Sequence, residues 1–168
     1  MNLNFETKPK VKICLIPVLE AYCRYVFETP PDQDVIVLNQ RRDIGLFIPS
    51  HIQISELPVH RPFHPNQVTF ILPVTKSNHY ALKYRFFHVS TWAEEKIQNF
   101  IEAEFKQWVR LKFEYGYEKK LSQEEIIDAI LRGLNVRNSA VNFDTIKKID
   151  YRNRRLKERK RFEMLLNN

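Results

Sequence analysis

A chain of 168 residues with 43% hydrophobic and 12% aromatic side chains has the size and apolar content of one folded domain, because burial on that scale offsets the entropy of ordering the backbone. That composition excludes global disorder, and no window approaches the ~18 to 20 apolar residues of a membrane span. The formal charge is +7, and residues 147–161 carry all of it: KKIDYRNRRLKERKR holds nine Lys and Arg against Asp150 and Glu158, whereas the other 153 residues balance eighteen bases against eighteen acids.

The first residues, MNLNFETKPKVK, contain no apolar run of the signal-peptide kind, so the expectation is a soluble, cytoplasmic protein without a membrane partner. KVKICL then alternates Val11, Ile13 and Leu15 with Lys10, Lys12 and Cys14, the period of a half-buried strand. From Pro17 the apolar residues Val18, Leu19, Tyr22, Tyr25 and Val26 recur at helical spacing, which predicts a helix over 17–27 that stops before Pro30 and Pro31. Cys14 and Cys23, the two cysteines, make neither a disulfide framework nor a zinc site and are expected to be reduced and buried.

VIVL (35–38), IGLFI (44–48) and IQIS (52–55) read as short strands. QVTFILPV and YALKYRFFHV, joined by TKSNH at 75–79, read as a hairpin. The Pro-rich ELPVHRPFHPN (56–66), between the three short runs and this hairpin, is expected to be an extended loop, which sets aside zinc binding by His60 and His64, because Pro62 and Pro65 preclude the helix that would align them. The economical arrangement is a five- or six-stranded, mainly antiparallel sheet. Tyr80, Tyr84, Phe86 and His88 fall on one strand face, either as core under a helix or as a stacking platform for bases, and core is the commoner use.

In the second half, Thr91 and Glu94 have the spacing of a capping box, and Ile97, Phe100, Ile101, Phe105, Trp108, Leu111 and Tyr115 continue an apolar face toward Gly116, placed to end the helix. Ser122 and Glu125 repeat the box ahead of Ile126, Ile127, Ile130, Leu131 and Leu134, with Gly133 at the close. A third helix starts near Asn142 or Asp144 and runs into the basic segment. The fold class is therefore α+β: a mainly antiparallel sheet in the N-terminal half packed by a long helix, then a short helix and a projecting basic C-terminal helix. Residues 1–135 form the core domain and 136–168 the basic extension.

No Gly-rich phosphate loop, GxSxG or other catalytic motif is present, and three glycines leave few places for backbone to approach a nucleotide, so a non-enzymatic protein without cofactor or metal is expected. Ala129 and Gly133 have the spacing of small residues in a helix-turn-helix, but Asp128, Arg132, Ser139 and Asn142 stand where that motif is apolar. Between Arg152 and Arg161 only Leu156 is apolar, so the segment should be exposed, and its like charges should leave it partly frayed until counter-charges arrive. The expected phosphate contacts are Lys147, Lys148, Arg152, Arg154, Arg155, Lys157, Arg159, Lys160 and Arg161. Nucleic acid is the expected partner, DNA favoured over RNA, in an accessory or regulatory role such as that of a phage or mobile element. The alternative is a structural or assembly protein whose basic arm docks on an acidic protein, a second subunit or a packaged genome.

Overall fold

The computed structural model describes residues 9–60, 62–76, 79 and 85–166. The chain forms two compact units, Met1–Glu102 and Ala103–Asn168. The described elements in chain order are β1 (Lys10–Cys14), α1 (Pro17–Val26), β2 (Val35–Val37), α2 (Asp43–Ser50), β3 (Gln53–Ser55), β4 (Gln67–Ile71), β5 (Phe86–His88), α3 (Thr91–Glu118), α4 (Gln123–Gly133) and α5 (Ala140–Leu166). The α+β class is observed, with a small sheet in the N-terminal half and a long basic helix at the C-terminal end.

In the first unit β4 is the central strand of three. It pairs antiparallel with β1, from Lys10 opposite Ile71 to Cys14 opposite Gln67, and parallel with β2, from Val35 opposite Thr69 to Val37 opposite Ile71. Val11, Ile13, Ile36, Val68 and Phe70 form the buried face. β3 and β5 make a separate antiparallel pair, so the described residues form two small sheets where the sequence suggested a single larger one. Of the strand expected to follow the 75–79 turn, the described part, β5, pairs with β3, and residues 77, 78 and 80–84 lie outside the described residues.

The IGLFI segment is helical, as part of α2, rather than a strand. A short apolar run fits either structure. The topology decides between them, because parallel β2 and β4 need a crossover of a dozen or more residues, usually helical. Ile44, Gly45 and Ile48 form the buried side of α2, and a Cβ at Gly45 would lie 1.8 Å from the Asn39 carbonyl oxygen, so only glycine permits this approach.

In α3 the buried positions are Ala93, Ile97, Ile101, Phe105, Val109 and Phe113. A strict four-residue step advances about 40° per step, so this stripe winds around the helix. The fixed-face reading instead pointed to Leu111 and Tyr115, which are exposed. The cap also lies one residue earlier than expected: Ser90 accepts from the Ala93 N–H through Oγ (3.3 Å) and from the Glu94 N–H through its carbonyl (2.9 Å). The Glu94 carboxylate accepts instead from the Cys14 N–H at 2.7 Å.

Gly116 lies inside α3, where a Cβ would meet the Ile126 side chain at 2.5 Å, so it lets α3 and α4 approach and does not end the helix. α4 begins with the expected capping box, Ser122 and Glu125 bonding reciprocally. Helices α1, α3 and α4 finish in the same way, with a left-handed residue after the last turn: Glu28, Lys120 and Asn135. In each case the next N–H reaches back to the final turn, Thr29 to Arg24, Leu121 to Gly116 and Val136 to Leu131, the Schellman pattern without its usual glycine. No described helix is long and apolar enough to cross a membrane.

Two glycines give opposite expectations. Gly45→Ala should cost about 1 to 3 kcal/mol by forcing the Asn39 backbone away. Gly133→Ala, a helical position with nothing within 4 Å of the added methyl, should gain about 0.5 to 1 kcal/mol. Urea denaturation of the two variants checks the contrast.

Candidate nucleic-acid interface

Helix α5 starts where Ser139 accepts from the Phe143 N–H through its carbonyl (2.9 Å), while the Asn142 side-chain amide donates to the Arg137 carbonyl (2.9 Å). Ile146 and Ile149 are buried, and α5 packs on α4, whose Ile126, Ile127, Ile130 and Leu131 are buried. Beyond Asp150 every described residue of α5 is exposed apart from the partly exposed Asn153. The helix is nevertheless continuous to Leu166, where like-charge repulsion led to an expectation of partial fraying.

Asp150 is the reason α5 is held at this point. It is 1% exposed, the one buried charged or polar residue among the described residues. Its Oδ2 accepts from the Tyr117 hydroxyl (2.8 Å), the Gln123 side-chain amide (2.6 Å) and Arg154 Nε (2.9 Å). Burial opposes ionisation of this carboxyl, but the hydrogen bonds from Arg154, Tyr117 and Gln123 and the Arg154 charge outweigh it and hold the group below its usual range. The Tyr117 phenol is pushed up to about 12 by burial first, then by its hydrogen bond to Asp150 and that residue's charge. The hydrogen bond to Asp150 raises Arg154 further above its already high value, and the Arg154 guanidinium stands over the Tyr117 ring at 5.1 Å.

The nine expected contact residues are thereby sorted. Arg154 is committed to Asp150, Lys157 donates to Glu114 at 2.6 Å, and Arg159 pairs with Glu163 at 3.1 Å. Lys147 lies over the Phe143 ring at 6.0 Å. Lys148, Arg152, Arg155, Lys160 and Arg161 are exposed and have no acidic partner among the described residues. Positions 148, 152, 155 and 159 step by four, three and four, which places Lys148, Arg152, Arg155 and Arg159 within a sector of about 60°. These four form an outward stripe opposite the side of Asp150, Arg154 and Lys157, whereas Lys160 falls between the two sides and Arg161 on the Asp150 side. The Arg159 pair is solvent-exposed, of a kind that holds weakly and is screened by salt, so Arg159 remains part of that stripe.

Tyr117, Gln123 and Glu114 were not singled out from the sequence. The available signal was Asp150 itself, an acid in helical register with Ile146 and four residues before Arg154. His64, in the Pro-rich loop, accepts from the Asn66 N–H through Nδ1 at 3.2 Å. Tyr80 and Tyr84 lie outside the described residues, and Phe86 is exposed rather than core.

The Asp150 cluster has a defined pH dependence. A depressed carboxyl pKa contributes stability that is complete above the ordinary value of 3.8 and is lost as pH falls through the lower folded value. The raised Tyr117 pKa contributes stability that is complete below 10.0 and is lost as pH rises toward about 12. Asp150→Asn should cost about 1 to 3 kcal/mol at neutral pH. The gap from wild type should narrow once the wild-type carboxyl takes up its proton, as followed by urea titrations at stepped pH.

Compared with known protein families, with curated proteins and with solved structures, the chain matches none.

Proposed function

We propose that this chain is a non-enzymatic nucleic-acid-binding protein, DNA favoured over RNA, that lays the outward stripe of α5 along phosphates in an accessory or regulatory role. The observation that carries the reading is the row of Lys148, Arg152 and Arg155 along one side of α5, without an acidic partner among the described residues, on a helix already fixed by Asp150. The stripe from position 148 to 159 is about 16 Å long at the rise of an α-helix. Duplex DNA offers a negative charge per ~1.7 Å of axis, and neutralising those phosphates releases condensed counterions. An α-helix fits the DNA major groove, whereas the narrow major groove of A-form RNA does not admit it, which is why DNA is favoured. Arg at 152, 155 and 159 suits bidentate contacts to phosphate or guanine.

One observation favours assembly on a protein partner as a second reading. Phe162, Met164, Leu165 and Leu166 crowd the end of α5 with exposed apolar surface, which phosphate contacts do not use.

With roughly four to six phosphates neutralised, log affinity for duplex DNA should fall with log salt at a slope of about −3.6 to −5.4. Arg152→Gln with Arg155→Gln should flatten it by about 1.8, whereas Lys157→Gln, on the tethered side, should change it little. Fluorescence anisotropy across a salt series measures this. Absence of salt-dependent duplex binding, with capture of a single acidic protein instead, would favour the assembly reading.

A further inference from the structure

The first unit is nearly neutral, with eleven Lys and Arg against ten Asp and Glu over residues 1–102, yet it contains a pocket of about 380 Å³ with no acidic side chain among its described lining. That volume is within the range of small-ligand sites. Lys10 and Lys12 line it from the outward face of β1, where residues two apart stand about 6.6 Å apart. His60 and Phe63 come from the Pro-rich loop, and Phe87 and His88 from β5. Two of these groups are not explained by folding. Phe63 is 86% exposed, an aromatic ring held at a pocket rim without being buried. His88 keeps Nδ1 buried with no hydrogen-bond partner among the described residues, a cost that a bound group could relieve.

The loop is fixed in advance. Pro58, Pro62 and Pro65 restrict its backbone, the Gln67 side-chain amide donates to the Pro62 carbonyl at 3.1 Å, and the Gln67 N–H donates to the His64 carbonyl at 3.1 Å. A preformed site loses less on binding than one that must order itself. Paired ammonium groups recognise an anion, and an exposed ring beside them offers a stacking surface for a planar group, the combination by which nucleotide units are held without sequence preference. We propose that this pocket binds a single nucleotide unit, its phosphate at Lys10 and Lys12 and its base on Phe63. The unit is either a free mononucleotide or one residue of a single strand, and this site is separate from the stripe on α5.

The test uses the full chain, isotope-labelled for amide NMR and titrated with adenosine 5′-monophosphate, adenosine, inorganic phosphate and a short oligothymidylate. The expected result is saturable shifts at Lys10, Lys12, Phe63, Phe87 and His88 with the mononucleotide or the oligonucleotide. Whichever of those two binds more tightly identifies the source of the unit. Phe63→Ala should weaken binding roughly tenfold, the equivalent of ~1.4 kcal/mol of stacking, and Lys10→Gln with Lys12→Gln should weaken it at least as much. Amides outside the pocket should stay in place, since Phe63, Lys10 and Lys12 are exposed. Arg152→Gln with Arg155→Gln should leave the pocket shifts intact, so that failure here and failure of duplex binding by α5 are read separately. The proposal is overturned if neither nucleotide probe shifts the pocket, if phosphate or adenosine alone binds as tightly as the mononucleotide, or if Phe63→Ala binds unchanged.

Discussion

A carboxylate taken out of water must be paired, and in the second unit that requirement falls on Asp150. Breaking a buried ion pair costs several kcal/mol because the remaining charge is stranded, so once Asp150 is buried its donors have little freedom to be elsewhere. Tyr117 from α3, Gln123 from α4 and Arg154 from α5 all meet at one oxygen, and the three helices of the unit are thereby tied at a single point. Hydrophobic contact alone would leave α5 free to rotate about its axis, since its apolar anchors, Ile146 and Ile149, cover barely one turn. The directional bonds to Asp150 remove that freedom and determine which basic side chains face solvent.

The same constraint reconciles a dense basic helix with an ordered one. Repulsion among neighbouring bases is lowered where Asp150, Glu114 and Glu163 each take up a positive charge, and this happens at intervals along the segment rather than at one end. Of the bases left without an acidic partner among the described residues, Lys148, Arg152 and Arg155 share the outward side, while Lys160 and Arg161 lie off it. The chain thus holds its charge in two different ways: as an excess on one helix in the second unit, and in the first unit as a local absence of acids around two lysines.

Where the sequence was legible, the signal was local. Val11 and Ile13 alternate, Pro17 opens a helix, and Ser122 with Glu125 forms a capping box, and each depends only on residues within a few positions. Where it misled, the deciding partner was distant. Glu94 has the spacing of a capping-box residue, but its carboxylate serves the Cys14 N–H eighty positions away. The apolar run in α2 takes its form from the parallel pairing of strands on either side of it, and the face of α3 drifts because a four-residue repeat does not match the helical period. The basic segment was visible at once, whereas its division into tethered and outward residues depended on Tyr117, Gln123 and Glu114, none of which is near it in sequence.

The helix ends built without glycine bear on how this chain opens as well as how it folds. Holding Glu28, Lys120 and Asn135 in left-handed backbone costs about 1 to 2 kcal/mol at a residue with a side chain, less for Asn, where glycine would sit at ease. The side chains repay part of that by narrowing what the unfolded chain can explore. The net result is helices whose interiors are well determined and whose exits are under slight tension. The segments just beyond α1, α3 and α4 are then the cheapest places for a transient opening, and local fluctuation in this protein should begin at these joints and spread inward.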